Sequence, residues 1–266
     1  MKPRGLVGLF SLLPLLVPAM GQADPAYSST FVQLRSSTLT SPAYTDADGQ
    51  AFNSPCVFAK DETSVYVEAP LDHGADAVTL NVPYDRLSCG SASAAGIGDI
   101  ELGFQHSIHH TPTSRLSLSA LAIVPGGGAN ADPAISYGSF GAELGVRESI
   151  SFPIFSHYGW LDTAVGARAY SGSPATRLRG AATLGCPVSP TVTLFERFDF
   201  TQSLGAANLA VASNPTISLR YDDQESETGV VVRVRKGLSV YVSQLNVLGG
   251  RNYGLGKTFN VGLWAR

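Results

Sequence analysis

The chain has 266 residues, 44% of them hydrophobic and only 15% charged, with a formal net charge of −3. That mildly acidic balance excludes a phosphate backbone as the natural partner, so no nucleic acid is expected. With 28 glycines, the composition matches neither a disordered chain nor a helical bundle, and it suits soluble β-sandwiches and membrane barrels equally.

In chain order, residues 1–23 read as a cleaved secretory signal peptide. Lys2 and Arg4 precede the apolar stretch Leu6 to Met20, and Gly21-Gln22-Ala23 supplies small residues for signal peptidase. Pro14 and Pro18 interrupt that stretch, which is short for crossing ~30 Å of hydrocarbon as a helix. Residues 24–266 are then one exported domain. If it spans a membrane it does so with strands of a closed sheet, where every backbone group is paired.

About twelve strands can be laid down, with short turns alternating with longer loops as in an up-and-down transmembrane β-barrel. The first runs from Ser29 to Leu39 and the second from Val57 to Ala69, turning at Asp72-His73-Gly74 into Val78 to Tyr84. The next two carry the clearest code. Ile100, Leu102 and Phe104 oppose Asp99, Glu101 and Gln105; Leu116, Leu118 and Ala120 oppose Arg115, Ser117 and Ser119. Pro125 to Gly128 opens a long loop before Ser139 to Ser149 and His157 to Ala169. Thr176 to Cys186 and Thr191 to Thr201 meet at Pro187 to Pro190, where missing amide hydrogens forbid ladder pairing. The pattern fades between Gln202 and Thr228, with Thr216 to Tyr221 either half of a long tenth strand or part of a loop. It resumes at Val230, Val232 and Val234 and continues through Ser239 to Val247 and Thr258 to Ala265.

Period-two alternation puts successive side chains on opposite faces of a strand. In a sandwich the apolar face meets a second sheet; in a membrane barrel it meets lipid and the charges turn inward. Segment lengths near the ~9–11 residues that cross a bilayer on a tilt favour an all-β, antiparallel outer-membrane barrel over a soluble periplasmic β-sandwich. Tyr84 and Trp264, near strand ends, are the expected interfacial girdle. The terminal Arg266 departs from the aromatic residue common at the end of assembled barrels.

Val65-Tyr66-Val67-Glu68 leading into Asp72 and the strand Val78 to Tyr84, then Gly96-Ile97-Gly98-Asp99-Ile100-Glu101-Leu102-Gly103, and finally Gly249-Gly250-Arg251-Asn252 with Gly262-Leu263-Trp264, form a familiar arrangement. From Phe52 to Arg266 the chain resembles the outer-membrane barrels of the phenol-degradation meta-pathway family, and a related group found beside exopolysaccharide secretion genes. The resemblance implies outer-membrane passage of small, often hydrophobic or aromatic molecules, or support of an exopolysaccharide export machinery. It implies no catalytic residues.

The candidate pore lining is Asp99, Glu101, Glu143, Arg147, Asp162, Arg168, Arg233 and Arg235. Such charges either select solutes across an open lumen or pair with one another to fill a closed one. Gly96 and Gly98 allow a bend at the strand entrance. Cys56 and Cys89 lie in neighbouring external segments and are the candidate disulfide, leaving Cys186 unpaired. His73, His106, His109, His110 and His157 cluster at short turns, but no Cys or carboxylate completes a metal spacing, so no metal and no cofactor is expected. His106 and Ser107 are adjacent and point to opposite faces, which rules them out as a base and nucleophile, and the chain is not read as an enzyme. The expected partners are outer-membrane lipid and an unspecified small solute. The function expected is passive diffusion through a porin-like outer-membrane channel of a Gram-negative cell.

Overall fold

The computed structural model describes residues 29–71, 75–154, 157–172, 174–205 and 218–266; the expected signal peptide and His73 lie outside them. Among the described residues thirteen antiparallel strands follow one another: β1 (Phe31–Thr45), β2 (Ala51–Leu71), β3 (Asp76–Cys89), β4 (Ala92–Ile97), β5 (Ile100–His110), β6 (Ser114–Val124) and β7 (Gly141–Ile154), then β8 (His157–Tyr170), β9 (Thr176–Pro187), β10 (Val192–Leu204), β11 (Asp222–Arg235), β12 (Leu238–Arg251) and β13 (Gly254–Ala265). Strands β4 and β5 lie end to end against β3, which pairs with β4 through Tyr84 to Cys89 and with β5 through Asp76 to Asn81. The wall therefore has twelve positions, the number expected from the sequence. Its interruption falls at Gly98-Asp99, and a side chain at Gly98 would press on Pro83 and Asp85 at 3.0–3.1 Å.

Apart from β4 and β5, which share β3, each strand pairs with its sequence neighbours, and β1 closes the ring on β13 from Val32 opposite Ala265 to Tyr44 opposite Gly254. One closed sheet replaces two stacked ones, so the β-sandwich alternative is overturned. Closure leaves no sheet edge, which is the condition for placing strands in hydrocarbon.

The alternation resolves as apolar outside and charged inside. Leu144 is 70% exposed on the outer face, whereas Arg168 is 1% exposed on the inner one. Leu102, Phe104, Leu118, Val146, Val165, Phe259 and Val261 join Leu144 in an outward belt. In water such a belt would be a large exposed apolar surface, far beyond what soluble proteins carry. A departure occurs at Glu196, which shares the outer face with Leu194 and Phe198 and accepts hydrogen bonds from the Ser226 and Thr228 hydroxyls.

Several glycines exist to receive rings from the next strand. Gly185 sits opposite Trp160, Gly229 opposite Phe195 and Gly262 opposite Tyr241. A Cβ at any of them would fall 1.9–2.4 Å from the partner ring. The rings thus lie flat over the glycines and pin the strand register.

Cys56 and Cys89 are joined by a disulfide across the outer ends of β2 and β3, with Cα atoms 5.3 Å apart; Cys186 is free. Without reductant, alkylation followed by mass spectrometry is expected to label Cys186 alone. Labelling of Cys56 or Cys89 under those conditions would contradict the bridge.

Candidate functional site

The inner faces of the strands build three layers along the lumen. At the end where β1 begins and β13 finishes, Phe31 (β1), Tyr66 (β2), Phe195 (β10), Val231 (β11), Tyr241 (β12) and Trp264 (β13) pack into one apolar cluster. Trp264 is therefore not part of an outer girdle. It shares inward parity with Asn260 and Gly262, while Phe259, Val261 and Leu263 on the same strand face out. At the opposite end Leu39, Phe58 and Leu87 form a smaller cluster with Ile135.

Between these layers lies a chamber lined by charged and polar residues of β1, β2, β3, β8, β10, β11, β12 and β13, and therefore bordered by walls on opposite sides of the barrel. Arg35 pairs with Glu62, Lys60 bridges Glu62 at 2.9 Å and Asp85 at 3.2 Å, and Arg197 holds Asp199 in a two-pronged contact of 2.6 and 2.7 Å. A second cavity along β5–β9 contains another chain of pairs. There Arg168 contacts Glu101 at 2.8 Å and Glu143 at 2.6 Å, and Arg179 shares Glu143 at 3.0 Å. Charges taken from water are tolerable only when paired and hydrogen-bonded in this way.

The long loop between β6 and β7, residues 125–140, folds inward rather than standing clear of the barrel. Asp99, at the break between β4 and β5, faces the backbone amides of Gly126 and Tyr137. Gly127 donates to the Ile97 carbonyl at 3.0 Å, and a side chain at Gly126 would strike the Gly98 carbonyl oxygen at 2.1 Å. Held at this point, the loop lays Ile135 against Leu39, Phe58 and Leu87 on one wall and Tyr137 against the other. Tyr137, Tyr170 and Tyr221 surround the Arg177 guanidinium, 4.8, 5.3 and 4.3 Å from their ring centres, and its Nη2 donates to the Ser218 carbonyl at 3.1 Å. The loop is a crossbar over the chamber. Its anchors are one carboxylate, one aliphatic pocket and one caged arginine.

Of the eight charged residues expected to line the lumen, Glu101, Glu143, Arg147, Asp162 and Arg168 border the second cavity, and Asp99 borders the chamber while tying down the loop. Arg233 and Arg235 lie in the last turnward residues of β11 and are exposed, away from both cavities. Sequence reasoning missed Arg35, Lys60, Glu62, Asp85, Arg177, Arg179, Arg197, Asp199, Glu225 and Glu227. A usable signal was present: Lys60/Glu62, Arg177/Arg179, Arg197/Asp199 and Glu225/Glu227 are each charged pairs two residues apart, the spacing of a single strand face. Asp223, within the stretch where the alternation fades, belongs to β11 and is fully buried. Among the histidines, His106 Nδ1 meets Asp76 Oδ1 at 2.6 Å, and among the described residues no group of three or more His, Cys, Asp or Glu is placed to hold a metal ion.

The fold has solved relatives. The COG4313 outer membrane channel from Pseudomonas putida F1 superposes with a TM-score of 0.73 at 12% identity, over 93% of this chain and 99% of that one. The NanC porin matches with a TM-score of 0.56 at 8% identity, over 88% and 99% of the two chains. The KdgM porin, solved in complex with oligogalacturonate, matches with a TM-score of 0.52 at 10% identity, over 89% and 98%. No family model and no curated protein sequence matches this chain. At these identities the likeness is one of fold.

Proposed function

We propose that the protein is an outer-membrane channel that passes small solutes by passive diffusion through its lumen. The observation that carries this reading is the chamber lined by charged side chains inside a closed strand wall whose outer surface is apolar. A barrel made only for structural support has no need of a cavity lined by more than one ion-pair chain. The resemblance to phenol-degradation meta-pathway barrels suggests small organic solutes. The solved relatives, channels and porins rather than enzymes, support transport over catalysis. The exported, signal-bearing precursor and the outer membrane as destination belong to the same reading.

The inward loop and the aromatic layer bound the chamber at both ends, which makes the path narrow and its solutes small. Purified protein reconstituted in planar bilayers is expected to give discrete but small conductance steps, and liposomes carrying it are expected to swell in small solutes before large ones. A packed ring layer of Phe31, Tyr66, Phe195, Tyr241 and Trp264 also favours a second reading, a non-conducting accessory barrel of an exopolysaccharide export system. Silent bilayers together with unswollen liposomes would select that reading and reject the channel.

A further inference from the structure

The charges facing the chamber do not balance. Glu62, Asp85, Asp99, Asp199, Glu225 and Glu227 line it, against Arg35, Lys60, Arg168 and Arg197. Each of those four cations has a carboxylate partner within ion-pair distance. Glu225 and Glu227, successive inward residues of β11, have none among the described residues. Glu227 instead accepts from the Ser243 hydroxyl and from Asn260 Nδ2 at 2.9 Å, and Glu225 faces the Tyr253 hydroxyl at 3.4 Å. Neutral donors orient a carboxylate without cancelling its charge.

We infer that the lumen is selective for cations and that Glu225 and Glu227 set this preference; the inference rests on the channel reading above. A fixed surplus of carboxylates in a low-dielectric, walled space raises the local concentration of mobile cations and excludes anions. The layer that a solute meets next acts in the same sense. Tyr66, Tyr241, Trp264, Phe31 and Phe195 are ring systems whose faces carry negative potential, attracting ammonium-like cations and repelling anions. The solute class that fits both layers is a small inorganic or organic cation, with amines the natural organic candidates.

The test is the reversal potential of the reconstituted protein across a potassium chloride gradient at mildly alkaline pH, followed by replacement of potassium with tetramethylammonium. The wild-type potential is expected to have the sign of a cation-selective pore, with tetramethylammonium carrying current. Glu225→Gln with Glu227→Gln, which keeps an oxygen for Ser243, Asn260 and Tyr253, is expected to lower the potassium-to-chloride permeability ratio by about two-fold or more. Asn81→Asp, an isosteric change on the same chamber wall that leaves the β11 pair intact, is expected to raise it. An anion-selective wild type, or a ratio unmoved by both variants while conductance persists, overturns the inference and leaves the channel standing. The absence of any conductance overturns both.

Discussion

Arg168→Leu is expected to lower the stability of the folded barrel by about 3–5 kcal/mol, the usual cost of removing one partner from a buried ion pair. The arginine is 1% exposed and is held between Glu101 and Glu143. Without it Glu143 keeps Arg179, but Glu101, itself 3% exposed, loses its ion-pair partner in a space with little water. A hydrophobic replacement of similar size fills the volume and does nothing for that orphaned charge. The measurement is the urea midpoint of unfolding, followed by the loss of the fast-migrating folded band on a mildly denaturing gel. Adding Glu101→Gln to Arg168→Leu should recover a substantial part of the loss, because it removes the uncompensated charge. If the single variant unfolds at the wild-type midpoint, the pair is solvated and the lumen is wetter than its burial implies.

Tyr241→Ala together with Trp264→Ala is expected to raise single-channel conductance by about two-fold or more, because ring-lined constrictions of this kind resist hydrated solutes. The two rings lie 4.9 Å apart between centres and, with Phe31 and Tyr66, close the end of the lumen opposite the inward loop. The wall itself should survive. The β12–β13 and β13–β1 backbone ladders remain to hold it, although the ring that Tyr241 lays over Gly262 is lost. Gln33, which donates to the Tyr241 hydroxyl at 2.8 Å, would then face water instead. Unchanged conductance would place the dominant resistance elsewhere. Ile135→Asp, which lifts the loop from its aliphatic pocket of Leu39, Phe58 and Leu87, would then be the variant that widens the path.

The most legible strands are those whose outer face is apolar over most of its height, such as β5 and β6. In β5, Leu102 and Phe104 alternate with Glu101 and Gln105, a period that marks a strand with one apolar face. Strands longer than expected ended late for one reason. Above the apolar belt the outer face of β1 carries Thr38 and Thr40, and the pattern becomes polar on both sides although the ladder continues to Thr45. The same effect hid the first half of β11, where Asp222 to Thr228 contains no apolar residue at all. Its strand character is enforced by pairing with β10 and β12, a tertiary cause with no local signature.

By itself the sequence determined the all-β class, a strand count of about twelve and the face on which most charges lie, and it offered Cys56 and Cys89 as a candidate pair. All of these follow from a two-residue period and from turn chemistry, which are local properties. Only the closed tertiary structure decided that Trp264 turns inward, that residues 125–140 fold back under Asp99, and which arginine meets which carboxylate. Those outcomes depend on strand stagger and on contacts across the lumen between residues far apart in the chain, and neither leaves a periodic trace in the sequence.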